Sequence, residues 1–296
     1  EGININIAHA VAKRLHPSTT TTASDPCCTH YNRHEFGDLR HHVRRADPSL
    51  LWTMVREPGR RDLSHIYHFE VGRNGKNATD RYLVNMMEYK IKGRQTRYLV
   101  KSRGKNPLWP RHELQKDPDS VVKILRDQIM ENYDFIGVVE RMEESLAVLT
   151  LLWNLEASDV IVLSAKRSGG YDDAGGDEGQ CVKIPKAVRT PILDRYLSNK
   201  HIAFNADVLL YHAVNASLDA TIDMIGKSKV EDRANEIRCL QALAQERCQD
   251  EAKFPCSATG EVQLELAEKS CYVQDAGCGH ECVARELAQQ SSCGQQ

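Results

Sequence analysis

The chain has 296 residues, 41% hydrophobic and 27% charged, with a formal net charge of −2. This balance is that of a soluble globular protein and excludes a disordered polyelectrolyte, a collagen and a coiled-coil rod. The length fits one large domain or two smaller ones, and near-neutrality gives no whole-chain attraction to nucleic acid, so any anion site is local. The first residues carry apolar side chains at helical spacing, Ile3, Ile7, Ala10, Val11 and Leu15, and predict an amphipathic helix. A polar loop, Pro17–Asp25, follows it. Ser49–Val55 is a short apolar run that stops at Arg56-Glu57-Pro58, the pattern of a buried strand ending before a proline. Helical spacing resumes at Gly59 and continues through Leu63, Ile66, Tyr67 and Phe69.

The middle of the chain alternates. Val121–Met130 reads as helix, Asp134–Val138 as strand, Met142–Leu152 as helix and Asp159–Leu163 as a buried strand. A glycine-rich loop, Gly169–Gly179, comes next, with helical runs from Pro185 and from Asn205. Strands alternating with helices of this length imply an α/β fold with a central parallel sheet covered on both faces. Ligands on such sheets bind beyond the carboxyl ends of the strands, which directs attention to the segments after Val55 and Leu163. The longest apolar run, Ser145–Leu155, is too short to span a bilayer. The chain opens at Glu1 rather than Met, and an upstream segment carrying targeting information is expected.

The ten cysteines are unevenly placed. Cys27 and Cys28 are adjacent, Cys181 stands alone, and Cys239, Cys248, Cys256, Cys271, Cys278, Cys282 and Cys293 crowd the last fifth. Such density predicts a disulfide framework made in an oxidising compartment, with at least one of the odd set of seven unpaired or bridging to Cys27, Cys28 or Cys181. A zinc site on Cys278-Gly279-His280-Glu281-Cys282 is the rival reading, weakened by the lack of a Cys-x-x-Cys pair. Two acceptor sequons, at Asn77 and Asn215, fit a secretory route. The division expected is an α/β domain over residues 1–235 and a cysteine-rich tail over 236–296.

The segment after the first strand carries the most chemistry: Arg56-Glu57-Pro58-Gly59-Arg60-Arg61-Asp62-Leu63-Ser64-His65-Ile66-Tyr67. An arginine at a strand's carboxyl end, followed by a hydroxyl near a helix start, suits a phosphate, because the guanidinium fork donates paired hydrogen bonds and the helix N-terminus adds positive potential. Solvated arginines on a surface helix are the alternative. Arg56, Pro58, Arg61, Ser64 and Tyr67 together resemble the 3′-phosphate-binding segment of sulfotransferases that use 3′-phosphoadenosine 5′-phosphosulfate (PAPS). The nearest likeness is to Golgi carbohydrate sulfotransferases of the heparan sulfate 2-O kind. Phe135–Glu144 and Asp207–Leu218 are similar to further elements of that family, so the likeness extends over most of residues 1–230.

The resemblance implies a three-layer fold like that of P-loop nucleoside triphosphatases, with Arg56 and Ser64 on the donor's 3′-phosphate and Arg61 beside them. It implies a basic loop over the nucleotide, matched by Lys166 and Arg167, and a histidine base before the strand, matched by His34 and then His30. His41, His42, His65 and His68 suit the base less well. The reaction implied is sulfuryl transfer from PAPS to a hydroxyl of a carbohydrate or similar acceptor, with no metal and no nucleic acid. It would take place in the Golgi lumen, with a type II membrane anchor expected upstream of Glu1. The family's 5′-phosphosulfate loop has no counterpart in the sequence, so the chain is expected to lack it and to turn over weakly without it. A non-catalytic nucleotide-binding or interaction protein is therefore the second reading. A kinase-like phosphotransferase ranks below both, since no Gly-x-x-x-x-Gly-Lys-Ser/Thr loop occurs.

Overall fold

The computed structural model describes residues 50–91, 94–99, 118–163, 169–173, 180–198, 206–251, 255–263, 279–288 and Cys293. The expected N-terminal helix, Cys27, Cys28, Cys271 and Cys278 lie outside them. The chain divides into two compact units. One draws its described residues from Glu35–Met142 and Ile184–Thr221, the other from Glu143–Lys183 and Ile222–Gln296.

The first unit is built on a small parallel sheet. Strand β1, Trp52–Val55, pairs in parallel with β2, Phe135–Val138, with Trp52 opposite Phe135 and Val55 opposite Val138. Asp134 starts this pairing, since Leu51 N–H donates to its carboxylate at 2.7 Å and Asp134 N–H donates to the Leu51 carbonyl at 2.8 Å. Helix α1, Pro58–His65, follows β1 at once and continues over Ile66–Arg73 in wider π-type turns. Pro58 stands in its first turn, where a missing N–H costs nothing and the fixed φ is already helical. Leu63, Ile66 and Tyr67 of α1 pack with Leu83, Met86, Met87 and Leu193. These come from α2, Asp80–Asn85, its continuation Met86–Ile91, and α6, Pro191–Leu197. Ile66, Leu83 and Leu193 are essentially inaccessible, and burial of each such side chain is worth about 1.5–3 kcal/mol. Helices α3 (Arg94–Leu99), α4 (Pro118–Ile124, continuing to Met130) and the first part of α7 (Ala206–Ile225) complete the unit.

The second unit holds most of α5, Met142–Leu152, together with α8, Lys227–Cys248, and α9, His280–Ala288. Its antiparallel pair joins β3, Tyr171–Asp173, to β4, Cys181–Lys183. Gly226, at φ 107°, starts α8 in a conformation that side-chain-bearing residues rarely adopt. Three disulfides tie this unit together: Cys181–Cys256, Cys239–Cys293 and Cys248–Cys282. Two lie within the cysteine-dense segment and one reaches Cys181, one of the outcomes expected for an odd set of seven. Because Cys282 is bonded to Cys248, its sulfur is not a free thiolate for zinc. The three bridges are compatible with a secretory or extracellular compartment. Among the described residues no helix is long and apolar enough to cross a membrane.

The structure is thus a helix-rich α/β protein whose parallel sheet, among the described residues, has two strands. The segment Asp159–Leu163 departs from expectation. Ala157–Val160 forms a short 3-10 turn, fixed by a capping box in which Glu156 and Asp159 each bond the other's backbone. Ile161 and Leu163 are buried, as their apolar character requires. The Val162 carbonyl, however, accepts from Gln241 Nε2 at 2.7 Å instead of from a neighbouring strand. The helix expected from Pro185 begins only at Pro191, where Thr190 caps it and also donates to Asp80 Oδ1 at 2.7 Å.

The bridges generate a direct expectation. Peptide mapping without reduction should recover Cys181–Cys256, Cys239–Cys293 and Cys248–Cys282 as cross-linked pairs. Replacing Cys181 and Cys256 together with Ser should lower stability by about 2–4 kcal/mol in denaturant titrations. Free thiols at these six positions would contradict the fold of this unit.

Candidate functional site

The site lies in the first unit, where β1 ends and α1 begins. Three backbone N–H groups at this turn have partners from carboxylates. Glu57 folds its side chain over the start of α1 and accepts from Gly59 N–H at 3.0 Å and Arg60 N–H at 2.7 Å. Glu140, just beyond β2, accepts from Glu57 N–H at 3.2 and 3.1 Å. Parallel pairing explains this meeting, because it brings the carboxyl ends of β1 and β2 to the same edge. Tyr211, on α7, lies close enough to Glu140 to feel its charge. Burial raises the Tyr211 hydroxyl above the usual phenol pKa, and the charges of Glu140 and Glu57 add to that.

Arg56 lies among these groups with its side chain 40% exposed, its Nε 3.8 Å from Glu140 Oε1. An ion pair at that separation and exposure contributes little, so an incoming anion has little to displace at the guanidinium. The backbone of Arg56 is held more firmly. Its N–H donates to Gln95 Oε1 at 2.9 Å, and Gln95 Nε2 donates to its carbonyl at 2.8 Å.

Arg61 has a different role from Arg56. Its guanidinium bonds Asp62 at 2.5 Å and lies 3.9 Å from Asp207. Both carboxylates are buried, Asp207 at 1% exposure. Asp207 also accepts from Thr96 N–H and Thr96 Oγ1, both at 2.7 Å, and from Gln95 N–H at 3.1 Å. Arg61 is therefore committed to an internal charge cluster, while Arg56 faces outward. Desolvation pushes the Asp62 carboxyl up to about 7, against the pull of Arg61. Ser64 is half-buried on α1, three residues after Arg61 and so close to the same helical face.

Beside Ser64, His65 is not a simple surface histidine. Burial and the nearby Arg94 and Arg61 hold its imidazole down to about 4, so it is neutral at physiological pH. Arg94 approaches His65 Nε2 at 2.5 Å, and the His65 ring packs on Phe69 with centroids 4.7 Å apart. Arg73 lies over the Phe69 ring at 5.5 Å and Arg94 near the Tyr98 ring at 5.9 Å. Guanidinium and aromatic groups thus alternate around the C-terminal end of α1 and its continuation.

Of the residues singled out by sequence, Arg56, Arg61 and Ser64 fall on one strand–turn–helix unit. His34, His30, Lys166 and Arg167 lie outside the described residues. Gln95, Thr96 and Arg94 carried no local signal. Glu140 and Asp207 fall in segments singled out by sequence, but their contacts depend on pairings across 83 and 111 residues. The sequon residue Asn77 lies in an exposed loop, whereas Asn215 sits within α7 and donates its side-chain amide to the Tyr211 carbonyl at 2.9 Å. Among the described residues no group of three or more His, Cys, Asp or Glu side chains is placed to hold a metal ion. Comparison with protein families, with characterised proteins and with solved structures gives no match.

The Asp62 carboxyl makes stability depend on pH with a defined sign. Its folded pKa lies above the unfolded value of 3.8, so its favourable contribution is complete in acid and is lost as pH rises through about 7. The stability of an Asp62→Asn variant relative to wild type should therefore increase from about pH 4 to about pH 7 and level off above. Denaturant midpoints across that range check it. A difference that is flat or falls with pH would show that Asp62 is ionised throughout.

Proposed function

We propose that the protein is a PAPS-dependent sulfotransferase that acts on a hydroxyl of a carbohydrate acceptor in the Golgi lumen. The observation that carries this reading is Arg56. It stands at the carboxyl edge of a parallel strand pair, immediately before a helix, half-exposed and only loosely paired with Glu140. Parallel sheets present ligand sites at that edge, and a guanidinium there suits a phosphate. Ser64 supplies a hydroxyl from the following helix. Arg61 supports the turn from inside and makes no direct contact with the donor. The complete fold under this reading is the three-layer, P-loop-like arrangement, with β1 and β2 as neighbours in its sheet.

In the reaction, the acceptor oxygen attacks the sulfur and the bond from sulfur to the 5′-phosphate oxygen breaks. The sulfuryl group passes to the acceptor, and adenosine 3′,5′-bisphosphate departs. The hydroxyl proton goes to His34, or to His30 in its place, since an imidazole titrates near operating pH. Basic side chains near the nucleotide, the role that the sequence likeness gives to Lys166 and Arg167, would offset the charge that develops on the leaving phosphate. The chain's own part is to orient donor and acceptor and to place positive charge, with no metal in the mechanism.

A second reading, a non-catalytic nucleotide-binding relative, draws support from Glu57 and Glu140. Their carboxylates already occupy the N–H groups that a catalytic phosphate cradle would use. Transfer of labelled sulfate from PAPS to oligosaccharides separates the two readings, and bisphosphate binding without transfer favours the second.

Calorimetry tests the site they share. Replacing Arg56 with Ala should weaken binding of adenosine 3′,5′-bisphosphate by about 2 kcal/mol or more, and Ser64→Ala should weaken it by about 1 kcal/mol. Wild-type affinity in Arg56→Ala would contradict the assignment.

A further inference from the structure

We infer that Gln95 is a positioning residue for Arg56, and that it sets the protein's preference for nucleotides bearing a 3′-phosphate. The inference rests on the proposed donor site and assigns a role within it to a residue that the sequence motif does not contain.

The argument begins with an unmet hydrogen-bonding need. β1 ends at Val55, so the Arg56 peptide lies one step past the last residue paired with β2. A buried or half-buried peptide in that position requires partners for both its N–H and its C=O. Gln95 provides them. Its carboxamide accepts from Arg56 N–H at 2.9 Å and donates to the Arg56 carbonyl at 2.8 Å. One side chain thus acts on Arg56 as a residue of a neighbouring strand would, fixing the plane and direction of the peptide from which the guanidinium extends.

Gln95 is itself held in place. It is the second residue of α3, and its N–H donates to Asp207 Oδ2 at 3.1 Å. Thr96 bonds the other oxygen of the same carboxylate through both N–H and hydroxyl, at 2.7 Å each. Asp207 thereby caps α3 from a helix distant in sequence, and a carboxylate at a helix start is favourable. Arg61, 3.9 Å from Asp207, completes the connection back to α1. From the buried carboxylate through Gln95 to Arg56, each link is a hydrogen bond of ordinary length.

The side chain of Arg56 lacks this degree of restraint. Among the described residues, its ionic contact is the 3.8 Å approach to Glu140. The direction in which the guanidinium leaves the backbone is therefore governed by the peptide that Gln95 clamps. An error of about 1 Å at such a contact is enough to cost a large part of its effect. Gln95 touches no ligand in this scheme and acts through Arg56 alone.

The test compares two ligands on the full chain, adenosine 3′,5′-bisphosphate and adenosine 5′-monophosphate, by calorimetry. The ratio of their affinities isolates the 3′-phosphate. Wild type should prefer the bisphosphate, and Arg56→Ala should abolish most of that preference. Gln95→Met, which keeps the shape and removes both hydrogen bonds, should reduce the ratio about tenfold, the scale of one or two lost hydrogen bonds, and leave monophosphate affinity nearly unchanged. A merely structural role would weaken both ligands together or neither. Gln95→Glu keeps an acceptor for Arg56 N–H but cannot donate to the carbonyl when ionised. It should show a loss in the same direction and serves if Gln95→Met does not fold. An unchanged ratio in the folded Gln95 variant, with Arg56→Ala losing it, overturns the role of Gln95 alone. A wild type with no preference for the bisphosphate overturns the donor site itself, and this inference with it.

Discussion

A carboxylate with almost no access to water organises the first unit. Asp207 is 1% exposed, and an isolated charge in that position would be very costly. It is retained because four groups converge on it: Thr96 through two donors, Gln95 through its N–H, and Arg61 through its guanidinium. Those groups come from α1 and α3, and Asp207 itself from α7. One side chain thus joins three helices that are far apart in sequence. Removing it would leave Arg61 beside a single partner, Asp62, whose own carboxyl already resists ionisation through burial. Breaking a buried charge group of this kind by deleting one member is strongly destabilising, on the order of 3–5 kcal/mol.

This anchoring gives the two arginines of the turn separate functions. Arg61 is directed to the interior, where it bonds Asp62 and approaches Asp207 of α7. Arg56 is fixed only at its backbone and presents a half-exposed guanidinium beyond the sheet edge. A clamped peptide with a loosely paired charged end suits a ligand-binding group, since little order must be created at the backbone when the ligand arrives. The carboxylates of Glu57 and Glu140 satisfy the nearby N–H groups, so the anion attraction of this turn rests on side chains more than on the helix N-terminus. That distribution differs from a glycine-rich phosphate loop, in which backbone N–H groups face the ligand.

Much of the local structure was legible in the sequence because its causes are local. The apolar run before Arg56-Glu57-Pro58 is a strand, Pro58 opens the helix, and Met142–Leu152 is helical over the expected span. The odd cysteine count left open an unpaired cysteine or a bridge to Cys27, Cys28 or Cys181, and Cys181–Cys256 is one of those outcomes. Asp159–Leu163 misled because burial and strand pairing are different properties. Its apolar side chains are buried, but the Glu156–Asp159 capping box curls the backbone, and Gln241 takes the carbonyl that a strand would have offered to a neighbour. The supporting residues of the site, Gln95, Asp207 and Glu140, were not legible as such. A polar residue gives no sign in sequence of a partner 39 to 112 residues away. The setting of His65 was not legible for the same reason, since Arg94 lies 29 residues away.

The most direct measurement is a crystal structure of the protein with adenosine 3′,5′-bisphosphate bound. The account predicts the 3′-phosphate beyond the end of β1, with the Arg56 guanidinium and the Ser64 hydroxyl within hydrogen-bonding distance. The Arg56 side chain should have turned away from Glu140, while Arg61 remains on Asp62 and Asp207. A nucleotide bound elsewhere, or a 3′-phosphate held by groups other than Arg56 and Ser64, would contradict it.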